Sequence, residues 1–218
     1  MIRQMDQSLR DLKNLLLQMG EKVEVAIDKA VKSLVNRDGK AAREVLDSDS
    51  EMDELENRID DMVAKLIVTK QPVAKDLRRL IAAMKIAADM ERMADYACNI
   101  ARVTLRLVES GQPLFKKLED IPRMARITQQ MVHDGINSYI DGNVELAKQL
   151  ARRDDEVDRL YHAVVKELLE LMIRKQQFTE SALYLSFVAR HLERIADHAT
   201  NVAESIVYIE TGKRTDLN

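Results

Sequence analysis

The sequence feature that most constrains the fold is an internal repeat. Segment 91–101 returns at 193–203, a shift of 102, with the same Glu, Arg, Ala, Asp and Asn residues at matching positions. The earlier segment 51–55 returns at 156–160, a shift of 105. Such agreement within one chain indicates a tandem duplication in which the second copy has lost three residues. We therefore predict two repeats, 1–111 and 112–218, with a linker near Gly111 to Phe115.

Each repeat is expected to be entirely helical. The 218 residues include only 6 Gly and 3 Pro, and the turn signals that they form are few and regularly spaced. Between these signals, apolar residues recur at helical spacing. The fold class is therefore all-α, a tandem repeat of two antiparallel three-helix bundles, because long helices with short connections pack as antiparallel neighbours. The six long helices are predicted roughly at 3–36, 40–70, 73–109, 115–140, 144–175 and 180–211.

Composition excludes several classes of protein. The 34 basic and 37 acidic residues nearly balance and no long basic run occurs, so we expect no nucleic-acid partner. No apolar stretch approaches the roughly 20 residues that span a bilayer, and the N-terminus is charged, so a cytoplasmic protein without a membrane span is predicted. Cys98 is the one cysteine, which excludes an internal disulfide and indicates a small buried residue.

Gly20 lies inside the first predicted helix, where glycine costs about 1 kcal/mol relative to alanine. Two explanations are open at this stage. The residue marks either a kink in the helix or a close contact with another helix.

Polar side chains form a matched ridge on one helix of each repeat. Residues four apart in a helix lie on nearly the same face, about 6 Å apart along the axis. Small residues flank both ridges and would let a ligand or another helix approach closely. The ridges consist of Glu91, Asp95 and Asn99 in the first repeat and Glu193, Asp197 and Asn201 in the second.

The preceding helix of each repeat carries a second carboxylate pair, Asp49 with Asp53 and Asp154 with Asp158. Antiparallel packing can bring each pair near the ridge of its own repeat. Carboxylates held together repel unless a positive group neutralises them. That group is either a hard cation such as Mg²⁺, Mn²⁺ or Fe, or the neighbouring arginine of each ridge, and duplication of the whole pattern favours the metal.

No catalytic motif accompanies these carboxylates, so we predict that the protein is not an enzyme. A ferritin-like di-iron centre would need Glu-x-x-His on two helices, which is absent. Two histidines, His191 and His198, match Asp89 and Tyr96 of the first repeat instead of histidines. We therefore interpret the histidines as surface residues or as residues with satisfied hydrogen bonds.

With the repeat, segment 71–86 and the two ridges considered together, the sequence resembles the PhoU family over nearly its whole length. Two positions depart from the family's usual pattern. Ala94 and Ala196 stand where glycine is usual, and Tyr96 stands where histidine is usual. Alanine is the smallest available change, so close helix packing should survive.

The resemblance implies a regulatory adaptor with metal-binding surfaces. The metal ions would be divalent or trivalent (Mg, Mn, Fe or Zn), and the family acts as a negative regulator of high-affinity phosphate uptake and of Pho regulon signalling when phosphate is plentiful. The implied partners are the ATPase subunit of the phosphate transporter, the membrane sensor histidine kinase and a second copy in a homodimer. The implied metal ligands are Asp49, Asp53, Glu91, Asp95, Asp154, Asp158, Glu193 and Asp197.

Two other functions are compatible with the residues. A metal-dependent phosphoesterase or polyphosphatase could use clustered cations to clamp the oxygens of an in-line displacement. A metal-free helical scaffold would require the acidic pairs to be salt-bridged. A turnover assay tests the first alternative, and metal binding tests the second.

Overall fold

The structure is a computed structural model that describes residues 2–111 and 118–217, and its described part is helical with short connections. The helices are α1 (Ile2–Asn36), α2 (Gly39–Asp47), α3 (Ser50–Lys70), α4 (Ala74–Glu109), α5 (Asp120–Asp141), α6 (Val144–Arg174) and α7 (Thr179–Thr211), with a 3₁₀ turn at Gln176–Phe178 before α7. The all-α prediction is confirmed. The predicted start of the fourth helix at 115 and most of the predicted linker lie outside the described residues.

The second predicted helix, 40–70, is interrupted and forms α2 and α3. The amides of Ser48 and Asp49 bond three residues back, to the carbonyls of Val45 and Leu46, each at 3.3 Å. The Ser48 hydroxyl also donates to the Val45 carbonyl at 2.7 Å. This tighter turn replaces the α-helical pattern, and it places Asp49 at the junction of two helices instead of within one.

Local signals explain where the helices begin and end. The Asp38 carboxylate accepts the amides of Lys40 and Ala41 at 2.9 and 3.0 Å, which caps α2. The Asn143 side chain caps α6 through the Leu146 amide at 3.0 Å. Gly142 ends α5 with a φ of 67°, in the left-handed region that glycine adopts without a Cβ penalty.

The helices form two three-helix groups that share one core. Helices α1, α2–α3 and α4 pack together, α5, α6 and α7 do the same, and α4 also packs on α7 while α1 packs on α5. Lys75 pairs with Glu210 near one end of the α4–α7 contact, and Arg106 lies over the Tyr184 ring near the other, so these two helices are antiparallel. Buried apolar residues of both groups form one continuous cluster. The proposed boundary between 111 and 112 stays a prediction.

Gly20 marks a close helix contact: a Cβ built there would lie 2.8 Å from Cγ1 of Ile136 on α5. Of the two explanations that the sequence left open, the close contact is therefore present, and α1 continues as a helix through this position.

We expect Gly20→Ala to destabilise the protein by about 1 kcal/mol. The gain in helix propensity, about 1 kcal/mol, is outweighed by the overpacking of the α1–α5 contact, which typically costs about 1–3 kcal/mol. Urea unfolding measures the difference. Gly39→Ala is the control, because its added Cβ would be 3.6 Å from the nearest atom. Equal or higher stability of Gly20→Ala would show that the helices do not need this close approach.

None of the described helices combines the length and the apolar character that crossing a bilayer requires.

Candidate functional site

The predicted carboxylates of the second repeat lie together on α6 and α7. Asp154 is buried, with 8% of its surface exposed. Burial, and then the carboxylates of Asp158, Asp197 and Glu193 in that order of effect, together raise the pKa of Asp154 to about 7. Antiparallel packing of α6 on α7 therefore brings the two predicted pairs of this repeat into electrostatic contact.

Two oxygens in this second-repeat cluster, Oδ1 of Asp154 and Oε2 of Glu193, are buried without a hydrogen-bond partner among the residues that the structure describes. The other oxygen of Glu193 accepts from Arg190 at 2.5 Å, while Arg194 contacts Asp197 at 3.0 Å and approaches Glu193 Oε2 only to 3.8 Å. Burial, and then the Asp197 carboxylate, raise the pKa of Glu193. Arginines thus satisfy part of the cluster and leave its most buried oxygens free to accept.

The equivalent carboxylates of the first repeat are better partnered. The Cys98 thiol lies 3.3 Å from Oδ1 of Asp49, and Arg102 lies 3.9 Å from Oδ2 of the same residue. Arg92 contacts Glu91 at 3.4 Å and Asp95 at 3.1 Å. The thiol that bonds Asp49 is itself buried, which raises the pKa of Cys98 to about 12 and agrees with its predicted place in the core.

Glu56 belongs to the first-repeat cluster but was not predicted. Burial, and then the Asp95 carboxylate, raise the pKa of Glu91, and Glu56 and Asp53 raise it further. A comparison of the two repeats does not reveal Glu56, because Tyr161 occupies the matching position of the second copy. Its spacing of three residues from Asp53 was the available signal.

Two substitutions between the repeats account for the difference between the clusters. The counterpart of Cys98 is Thr200, whose hydroxyl donates to the Ala196 carbonyl of its own helix at 3.3 Å. The counterpart of Arg102 is Glu204, an acid that accepts the Leu217 amide at 2.9 Å. The second repeat has therefore lost both groups that satisfy Asp49 in the first, and Asp154 is left without them.

The chemistry of the second-repeat donors fits a hard cation, although their geometry is not preformed. Buried carboxylate oxygens without partners are the ligands that Mg²⁺ and similar cations use. Among the described residues, however, no three His, Cys, Asp or Glu side chains are placed closely enough to hold a metal ion as they stand. The predicted ligand role of all eight residues stays a prediction, with the second repeat as the better candidate.

A second polar cluster lies between the repeats, on the contact of α4 with α7. His198 contacts the Asp89 carboxylate at 2.8 Å, and Asn201 donates to the same oxygen at 3.2 Å. The Tyr96 ring lies between His191 and His198, with centroids 5.7 and 5.8 Å away. Burial lowers the pKa of His191, and its Nδ1 has no partner among the described groups.

This interface cluster corrects two expectations. His198 is hydrogen-bonded as expected, but Nδ1 of His191 is buried without a partner among the described groups, so His191 is not a residue with satisfied hydrogen bonds. Asn201 was placed on the acidic ridge, yet its side chain faces Asp89 of the other repeat. The histidines have no histidine counterparts, and the two matched contacts between α4 and α7 differ: His198 meets Asp89, whereas His191 meets Tyr96. The signal was present in the alignment of the repeats, where Asp89 matches His191 and Tyr96 matches His198.

Fold and site together define a class of protein, a pair of three-helix repeats that carries carboxylate clusters at equivalent positions. A family model described as PhoU domain matches residues 16–104 and 121–206, once in each repeat. The chain therefore belongs to the PhoU family.

Relatives and solved structures agree with this assignment. The chain is 34% identical to "Phosphate-specific transport system accessory protein PhoU homolog" of Clostridium acetobutylicum, over 98% of this chain and 97% of the relative. It is 39% identical to the Aquifex aeolicus protein of the same name, over 94% and 92%. The crystal structure of PhoU from Pseudomonas aeruginosa superposes with a TM-score of 0.90 at 31% identity, covering 95% of this chain and 99% of that one.

Proposed function

We propose that this chain is a regulatory accessory protein of a phosphate transport system, and not an enzyme. It acts on the cytoplasmic side as a negative regulator of high-affinity phosphate uptake and of phosphate-starvation signalling. Its relatives are named as accessory proteins of phosphate-specific transport, and the similarity extends over nearly the full length of both chains.

The acidic clusters form the docking surface in this proposal. The observation that carries it is the pair of buried, unpartnered oxygens on Asp154 and Glu193. A bound cation would satisfy these oxygens and offset both the burial and the carboxylate repulsion that raise the pKa of Asp154. Because a partner's carboxylate or phosphate could complete the coordination, binding of the partner would then depend on metal.

The test is binding of the purified protein to the ATPase subunit of the phosphate transporter, first with Mn²⁺ and then after a chelator. We expect binding with Mn²⁺ to be at least about tenfold tighter. A variant with Glu91→Gln, Asp95→Asn, Glu193→Gln and Asp197→Asn should lose this metal-dependent gain. Circular dichroism confirms that the variant is folded.

A control variant carries the same change in charge at four exposed glutamates, Glu44, Glu109, Glu145 and Glu180, each changed to Gln. It should bind like the wild type in both conditions. If the four-site variant still binds in a metal-dependent way, the clusters are not part of the docking surface. Equal binding with and without metal would support the adaptor function but would show that the carboxylates have a role other than metal-dependent docking.

The membrane sensor histidine kinase is the second proposed partner, and the same pair of variants tests it. Self-association as a homodimer stays a prediction that sedimentation measures. A turnover assay with phosphate esters or polyphosphate, in Mn²⁺ or Mg²⁺, tests the alternative function. Activity that is lost in the four-site variant and kept in the control would show that the protein is a hydrolase and not an adaptor.

A further inference from the structure

A cavity of about 440 Å³ lies at one end of the molecule, away from both acidic clusters. It is formed where the first turns of α1 and α4 meet the last turns of α5 and α7, so both repeats contribute walls. Its volume is within the range of small-molecule sites, about 300–1,000 Å³. The residues that line it belong neither to the repeated segments 51–55, 91–101, 156–160 and 193–203 nor to the two polar ridges.

Four cationic side chains line this cavity, Arg10 and Lys13 from α1 and Lys75 and Arg79 from α4. Their spacings of three and four residues put each pair on one helix face. Arg10 makes no ion pair with any group that the structure describes, and Arg79 has only a partly exposed contact with Asp76, at 3.2 Å, which holds it weakly. Two guanidinium groups are therefore available to an incoming anion.

Lys13 shows that the cations are close to one another. Its amine donates to the Ile140 carbonyl inside the cavity. Burial, and then the charge of Arg79, lower the pKa of Lys13, while the carboxylates of Asp141 and Glu210 offset part of this effect. An anion bound between Lys13 and Arg79 would relieve this repulsion, because it would neutralise both charges at once.

The rest of the lining favours an organic phosphate over inorganic phosphate. Leu9, Ile206, Ile209 and the buried Tyr139 ring form an apolar wall. Glu210 is engaged by Lys75, whereas Asp6 and Asp141 offer carboxylate oxygens that accept from hydroxyl or amino groups. Inorganic phosphate carries only one or two hydroxyl donors on the charged group itself, so the cations and the carboxylates cannot both be satisfied well by it. A sugar places several uncharged hydroxyl donors away from the phosphate, where they can bond these carboxylates.

We propose that this end cavity binds a nucleoside monophosphate or a phosphorylated sugar of similar size. The phosphate lies between Arg10, Lys13 and Arg79, where bidentate guanidinium contacts are available. The sugar faces Asp6 and Asp141, and the apolar wall receives the remainder. This site needs no metal, and it is independent of the docking proposed for the acidic clusters.

The test is isothermal titration of the full chain with AMP, glycerol 3-phosphate, inorganic phosphate and adenosine, in a buffer without phosphate and with a chelator. We expect AMP or glycerol 3-phosphate to bind more tightly than inorganic phosphate, and adenosine not to bind. Arg10→Gln combined with Arg79→Gln should weaken the binding roughly tenfold or more. Failure of all three phosphorylated probes to bind the wild type would overturn the proposal.

Two further measurements separate the site from general attraction of anions. Arg10→Gln alone changes an exposed residue that makes no ion pair with the described groups, so the variant should fold and still bind more weakly. Arg126→Gln, on the exposed face of α5 and more than a dozen residues from the cavity, should not. Equal losses in these two variants would overturn the proposal, as would inorganic phosphate binding as tightly as AMP. In NMR titrations the bound phosphate should raise the pKa of Lys13, and an unchanged value would place the ligand elsewhere.

Discussion

Asp154→Asn is expected to make the metal-free protein more stable at pH 8, by about 2 kcal/mol, although it removes a predicted metal ligand. Asp154 is buried beside four other carboxylates, and its Oδ1 has no hydrogen-bond partner in the described part of the chain. Ionisation at this position is therefore unfavourable in the folded state. Asparagine has a similar shape and carries no charge, so the repulsion is removed.

The gain in unfolding free energy from Asp154→Asn should increase as the pH rises. The pKa of Asp154 rises from 3.8 to about 7 on folding, so only well below pH 3.8 is the carboxyl fully protonated in both states. Between pH 4 and pH 7 the folded state holds the proton that the unfolded state releases, and stability falls as the pH rises. The advantage of Asp154→Asn should thus be small at pH 4 and nearly complete at pH 8, as urea unfolding across this range measures.

The matched position of the first repeat supplies the control. Asp49 accepts from Cys98 and lies near Arg102, so Asp49→Asn should cost up to about 1 kcal/mol instead of stabilising the protein. Mn²⁺ should raise the melting temperature of the wild type and have less effect on Asp154→Asn. If both asparagine variants behave alike, the difference between the two clusters has no energetic consequence.

Met90→Ala is expected to destabilise the whole protein by about 3 kcal/mol in a single unfolding transition. Met90 is fully buried on α4 and lines a tight internal gap together with Met131 of α5 and Val202 of α7. Truncation leaves a cavity at the junction of the two repeats. Because their apolar residues form one cluster, the loss should affect both repeats equally.

Calorimetry and urea unfolding followed by circular dichroism measure this effect. Leu169→Ala is the control, since Leu169 is 55% exposed on α6 and its truncation should change stability by less than about 0.5 kcal/mol. Two separate transitions in Met90→Ala, one of them unshifted, would show that the repeats unfold independently in spite of their shared core.

The repeated acidic motifs were readable from sequence because helical spacing alone puts side chains four residues apart on one face. The lack of partners at Asp154 was not readable, since it depends on which residues of α7 reach it across an interhelical contact, where Thr200 and Glu204 stand in place of Cys98 and Arg102. Aligned repeats suggest equivalent sites. Only side-chain packing shows that one site is satisfied and the other is not.

The break at Ser48 and Asp49 escaped sequence analysis for a related reason. Neither residue is glycine or proline, and the apolar periodicity continues on both sides of the break. The tighter turn depends on the Ser48 hydroxyl and on bonds three residues back, which no pattern of hydrophobic spacing specifies.

Local chemistry in the sequence determined the helices, their approximate ends and the duplication, because hydrophobic periodicity, capping residues and repeated motifs act over a few residues. Tertiary structure alone decided which carboxylates are partnered, how His198 of one repeat meets Asp89 of the other, and where Arg10 and Arg79 join in one cavity. These features bring together residues that are far apart in sequence. Their energies depend on distance and burial, which are properties of the packed molecule and not of any segment of the chain.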